Sequence, residues 1–165
     1  MRMRWTLFVC IMIPTVAGCS RDHLSLLESA DSLTVYSIDG NDYEPGKEPK
    51  SEEKFYDYPV LGKVEVTEPS KRQELIDALK LGITKHSKGI KCFWPRHGVR
   101  AVRGNQWVDF VICFHCANVY EYSSSGDRRK EKGVDRALKE VLNKYLTDAG
   151  VPLAPEKVKS DGEAP

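Results

Sequence analysis

The stretch VRAVRGNQWVDFVICFHCANVYEY, residues 99–122, decides the fold. Val99–Arg103 alternates apolar with basic and small residues, Gly104-Asn105-Gln106 is a turn, and Trp107–Tyr122 is dense in β-branched and aromatic residues. Two such runs about a glycine–asparagine turn predict a β-hairpin. With the turn centred on Asn105, the numbers of paired residues sum to about 209–210. His97 then lies across from positions 112–113, and Cys92 across from 117–118. Val108–Phe114 is apolar except for Asp109. A strand of that kind belongs in the centre of a sheet, covered on both faces, and its one carboxylate needs an end or a partner.

Working outward, Leu33–Ile38 alternates as a strand does, and Val60–Thr67 reads as a second strand. Between them Gly40–Lys54 is rich in glycine, proline and charge, the composition of an exposed loop. Ser70 and Gln73 fit a capping box, followed by Leu75, Ile76, Leu79 and Ile83 at helical spacing. The last helix carries the stripe Val134, Ala137, Leu138, Val141, Leu142, Tyr145 and Leu146, with Arg136, Lys139, Glu140, Asn143 and Lys144 expected to face away. Gly150 and Pro152 stop it. The order β-β-α-β-β-α predicts an α+β fold, a small antiparallel sheet with two helices packed on one face. The expected organisation is a leader over 1–18, a tether over 19–32, one domain over 33–154, and a polar disordered tail over 155–165.

The N-terminus carries an address. Met1-Arg2-Met3-Arg4 is basic, Trp5–Val16 is a mostly apolar run, and Val16-Ala17-Gly18-Cys19 closes it. That run spans about 18 Å as a helix, well short of a roughly 30 Å hydrocarbon core. It is the pattern of a secretory signal. The final four residues resemble the lipobox of bacterial lipoproteins. The resemblance implies that Cys19 becomes the mature N-terminus and carries lipid, which makes membrane lipid a partner. It also implies a periplasm-facing envelope location. Ser20 after the cysteine, in place of aspartate, favours the outer membrane over the inner.

Cleavage before Cys19 leaves 165 less 18, or 147 residues, which is one domain's worth. The whole chain has 25 basic and 24 acidic side chains, a balance that argues against nucleic acid as a partner.

Within the domain, Cys92, Cys113 and Cys116 lie near His97 and His115. The segments Cys92-Phe93-Trp94-Pro95-Arg96-His97-Gly98 and Cys113-Phe114-His115-Cys116 resemble those of small uncharacterised bacterial exported proteins. The resemblance spans about residues 55–154 and implies no activity. Three readings of the cluster stand side by side. The first is a disulfide from Cys92 to Cys113 or Cys116, in keeping with an oxidising compartment. The second is a zinc site built from Cys92, His97, Cys113 and Cys116. The third is a redox Cys-x-x-Cys pair, although such pairs sit at helix starts and this one follows an apolar strand. Arg96, His97 and Arg100 form a candidate anion contact in a stretch, Lys85–Arg103, with six basic residues and no acid. No complete catalytic set occurs. The sequence therefore points to a non-enzymatic binding or envelope-maintenance module without a cofactor, with an envelope protein as a candidate partner. A metal-binding or thiol-redox protein is the alternative.

Overall fold

The computed structural model describes residues 23–40, 51–84, 93–126 and 130–156. The domain is built on an eight-stranded antiparallel sheet with three helices. The expected α+β class stands, but the sheet is larger than the small one anticipated.

The strands are β1 (Ser32–Ile38), β2 (Lys54–Phe55), β3 (Tyr58–Glu65), β4 (Ile83–Thr84), β5 (His97–Arg103), β6 (Gln106–Cys113), β7 (Asn118–Ser123) and β8 (Lys130–Val134). Their order across the sheet is β2-β3-β1-β5-β6-β7-β8-β4. The helices are α1 (His23–Glu28), α2 (Pro69–Gly82) and α3 (Ala137–Asp148).

The central hairpin follows from its turn. Gly104 adopts φ +54°, which glycine tolerates and the tight two-residue turn requires. That geometry fixes the register: His97 faces Ile112, Val99 faces Phe110 and Arg103 faces Gln106, each pair summing to the expected 209. β6 sits between β5 and β7, and Val108 to Cys113 are all buried, as its apolar run requires. The second run is not one strand. It breaks at 114–117, and β7 returns beside β6 with Cys113 facing Asn118.

Side chains alternate across the sheet. Leu33, Val35, Val99, Ala101, Val108, Phe110, Ile112 and Val119 meet Leu27 of α1, Leu75, Ile76 and Leu79 of α2, and Leu138, Leu142 and Leu146 of α3. This aliphatic core is the larger. The opposite face holds Tyr36, Ile38, Phe55, Val60 and Val111, bordered by Tyr56, Tyr58, Phe93, Tyr120 and Tyr122. Gly98 makes room there, since a Cβ at that position would come within 2.7 Å of the Phe55 ring.

Three helix details differ from the pattern read in the sequence. α2 starts on Pro69 after an N-cap at Glu68, and Ser70 donates its hydroxyl hydrogen to Glu68 instead of capping the helix. Proline at the first helical position has no amide hydrogen to leave unsatisfied. Ile83 belongs to β4 and Val134 to β8, so each ends a stripe as the first or last residue of a strand. Ala137 is exposed, and α3 buries Leu138, Leu142 and Leu146.

A candidate anion pocket at the end of the central hairpin

Pro95 cannot donate a ladder hydrogen bond, so regular pairing of β5 begins two residues later at His97. Arg96 between them is still held to the sheet. Its amide donates to the Ile112 carbonyl at 3.1 Å, and its carbonyl accepts from the Ile38 amide at 3.1 Å. Beside it, the chain turns from β6 to β7 through Phe114-His115-Cys116-Ala117. Cys113 and Cys116 are disulfide-bonded across this turn, with Cα atoms 5.4 Å apart, and both are fully buried. The Cys116 amide also donates to the Cys113 sulfur at 3.1 Å. Ala117 takes φ +54°, an unusual conformation for a residue with a Cβ.

The clipped turn presents two rings. Phe114 meets His97 edge-on, with centroids 5.2 Å apart, and His115 lies 5.6 Å from Trp94. These four side chains, with Arg96, Arg136, Lys139 and Glu156, line a cavity of about 250 Å³. Arg136 and Lys139 come from the start of α3. Glu156 comes from the segment that follows it.

The cavity is cationic. Among the described residues that line it, the one carboxylate is Glu156, whose Oε1 accepts from Lys139 Nζ at 2.8 Å and from Arg96 Nη1 at 3.1 Å. Those bonds, Lys139's first, hold the Glu156 carboxyl below the usual carboxylate range. Arg96 also donates through Nη2 to the Ala154 carbonyl. Arg136 has no carboxylate partner among the described residues.

His97 is only 3% exposed, and its Nε2 lies 2.8 Å from Asn143 Oδ1 on α3. A carboxamide oxygen only accepts, so in this arrangement Nε2 carries the hydrogen and Nδ1 is left as an acceptor. Burial lowers the His97 pKa to about 4 against the raising effect of Asn143, and Arg96 and Lys139 push it the same way. His97 is therefore neutral at pH 7.

The other face of the hairpin holds a separate polar knot. Arg100 donates to both oxygens of the fully buried Asp109, from Nε at 2.8 Å and from Nη2 at 2.6 Å. Tyr56 donates its hydroxyl hydrogen to the same carboxylate at 2.9 Å. The guanidinium sits 5.6 Å from the centroids of both Phe55 and Trp107. Burial and then Asp109 raise the Tyr56 pKa, and the bond to Asp109 raises that of Arg100. Asp109 thus has the partner its place in β6 demanded.

The residues singled out in the sequence divide accordingly. Arg96 and His97 meet in the pocket. Arg100 points to the opposite face and is already paired, so the candidate anion contact is corrected to Arg96 and His97 without it. The bridge expected from Cys92 is replaced by one between Cys113 and Cys116, and Cys92 lies outside the described residues, as does Cys19. His97 and Cys113 project to opposite faces, because His97 pairs with Ile112. Among the described residues no group of three or more His, Cys, Asp or Glu side chains is arranged to hold a metal ion.

Lys139 and Asn143, read as outward-facing, both turn to this site. Positions 136, 139 and 143 share one flank of α3, and that i, i+3, i+7 spacing was visible beside the apolar stripe. Nothing local marked Glu156 as their partner. Comparison with known proteins brings no match: no family model, no curated protein and no solved structure is similar to this chain.

Proposed function

We propose that this chain is a lipid-anchored cell-envelope protein whose folded part is a non-enzymatic binding module for an anionic group. The observation that supports the binding role is the pocket: among the described residues Arg96, Arg136 and Lys139 surround one cavity against the one carboxylate of Glu156. A walled, cationic cavity with aromatic sides suits a ligand better than it suits a solvated surface. The envelope location rests on Val16-Ala17-Gly18-Cys19, with acylated Cys19 inserted in membrane lipid and the outer membrane favoured. Two or more acyl chains anchor stably where a single chain binds reversibly.

Two experiments test the two halves. Radiolabelled palmitate should enter the wild-type chain and not Cys19→Ala, whose precursor should keep its leader; equal labelling of both would reject the anchor. Purified chain should bind an anion in competition with Glu156, and Lys139→Gln should weaken that binding at least tenfold. Unchanged binding in Lys139→Gln would reject the pocket.

The Cys-x-x-Cys spacing of the Cys113–Cys116 bridge favours a second reading, thiol redox chemistry. Full burial of both sulfurs supports a structural clip instead, since exchange needs access for an attacking thiolate. Rapid reduction of the native protein by a dithiol, without denaturant, would favour the redox reading. A zinc site would require both sulfurs as thiolates.

A further inference from the structure

The anion pocket already holds a piece of the chain's own backbone. Val151–Glu156 follows α3 without helix or strand and ends on Arg96. Val151 and Ala154 each precede a proline, which biases both toward extended backbone, and the rings of Pro152 and Pro155 fix their own φ. Val151 packs on Gly62, where an added Cβ would come within 2.7 Å of the valine side chain. Ala154 is buried. Arg96 reads this segment at two points: Nη2 donates to the Ala154 carbonyl, and Nη1 donates to the Glu156 carboxylate two residues later. Lys139 brings a second cation to that carboxylate. One guanidinium that binds a backbone carbonyl and an acidic side chain is making a peptide contact. A free ion offers only the second of these groups.

The segment fills the site incompletely. Arg136, Trp94 and His115 still line a cavity of about 250 Å³ beside Glu156. Among the described residues that line it, two arginines and a lysine face one carboxylate. The sequence continues with Lys157 and Lys159, charges of the wrong sign for such a cavity. The hold is also light. The Glu156 side chain is 72% exposed, and ion pairs at that exposure contribute little.

Building on the anion-pocket reading, we infer that this site docks an extended acidic peptide of a partner protein, and that Val151–Glu156 is its resident stand-in. The partner's peptide places a small side chain where Ala154 lies and a carboxylate on Arg96 and Lys139. It brings a further carboxylate, just beyond the first, to Arg136. That last group is what the resident segment lacks. It lets a partner displace a tethered competitor, whose effective concentration is on the order of millimolar.

The test is fluorescence anisotropy of the full chain in detergent with two dye-labelled peptides, each blocked at both ends. One is VPLAPEKVK, residues 151–159, and the other carries Lys157→Glu and Lys159→Glu. The charge-reversed peptide should bind at least tenfold more tightly than the native sequence. Glu156→Gln in the chain should tighten both about tenfold by releasing the resident segment. Arg136→Gln, a change at an exposed side chain, should cut the advantage of the charge-reversed peptide to less than threefold. Ala154→Leu in that peptide, or a scrambled order of the same residues, should weaken it at least tenfold. Sulfate and glutarate serve as small anions without a backbone.

The failures are distinguishable. If no peptide and neither small anion binds Glu156→Gln, the anion pocket itself is overturned. If sulfate or glutarate binds and the peptides do not, or the scrambled peptide binds as well as the ordered one, the pocket stands and the peptide assignment is overturned. If Arg136→Gln leaves the tenfold advantage intact, the further carboxylate does not meet Arg136 and that part of the assignment is overturned.

Discussion

The two faces of the sheet solve the same problem with different chemistry. The helical face closes with leucine and isoleucine from three helices against valine, leucine, isoleucine and Phe110 of the sheet, and these residues contact one another without directional bonds. The aromatic face closes with paired rings: Tyr36 stacks on Phe55 at 4.4 Å, Tyr56 on Tyr122 at 4.1 Å and Phe93 on Tyr120 at 3.8 Å. No helix covers it. The short segment around β2 folds over it instead, and the buried charge of Asp109 lies at its centre. An aliphatic face under helices is specified by volume. A thin aromatic face is specified by geometry, because ring pairs and a bidentate arginine work only in particular orientations.

The largest expected effect tests the volume side. Leu142 is fully buried in α3, and Leu142→Ala should cost about 2–5 kcal/mol through lost transfer energy and the cavity left behind. Denaturant unfolding measures it. A cost below about 1 kcal/mol would mean that α3 does not close this face.

Acid should attack the helical face at its rim. The unfolded chain takes up a proton on His97 near the ordinary pH 6.5, and the folded chain only near pH 4. Stability is therefore complete above pH 6.5 and falls as the pH drops toward 4, by about 3 kcal/mol in all. In His97→Gln the fall over that window should shrink. An unchanged profile would show that other groups control it.

On the aromatic face, Arg100→Ala should cost about 2 kcal/mol. It leaves Asp109 buried and without its cation, yet the guanidinium is 41% exposed, so the loss falls short of that for a fully buried pair. Tyr56→Phe removes one hydrogen bond to the same carboxylate and should cost about 1.5 kcal/mol. If Arg100→Ala is no worse than Tyr56→Phe, the phenol, not the arginine, holds the charge. The smallest effect belongs to neither face: Lys144→Ala, at an exposed ion pair with Asp148, should stay within about 0.5 kcal/mol. Melting curves of these three variants rank them directly.

Legibility in the sequence followed the range of the forces involved. The central hairpin was readable to the residue, because its register depends on a two-residue turn and on alternation, both local. The break at 114–117 was hidden. Cys113-Phe114-His115-Cys116-Ala117 contains no glycine or proline, and what closes the turn is a bond between two sulfurs with Ala117 in a glycine-like conformation. β8 escaped notice because Lys130-Glu131-Lys132-Gly133-Val134 is mostly charged. It is a strand through its backbone pairing with β7, and Lys132 reaches the buried Glu121 carboxylate at 2.5 Å across that ladder. Of the pocket, Arg96 and His97 were flagged by their neighbourhood, but Asn143, Lys139 and Glu156 reach it only through the packing of α3 and the segment beyond. The spacing of 136, 139 and 143 marks a shared flank of α3, but nothing local says what that flank meets.

The two outermost strands have a bearing on life at high density. β2 and β4 form the edges of the sheet, and each is two residues long. An open edge offers unpaired amides and carbonyls to any neighbouring chain, and a long one seeds intermolecular pairing. If it is held on a membrane surface as proposed, the chain meets its own copies far more often than it would free in three dimensions. β2 covers only Tyr58 and Pro59 of β3, and the rest of that edge carries Lys63 and Glu65, charges that discourage an approaching copy from extending the ladder.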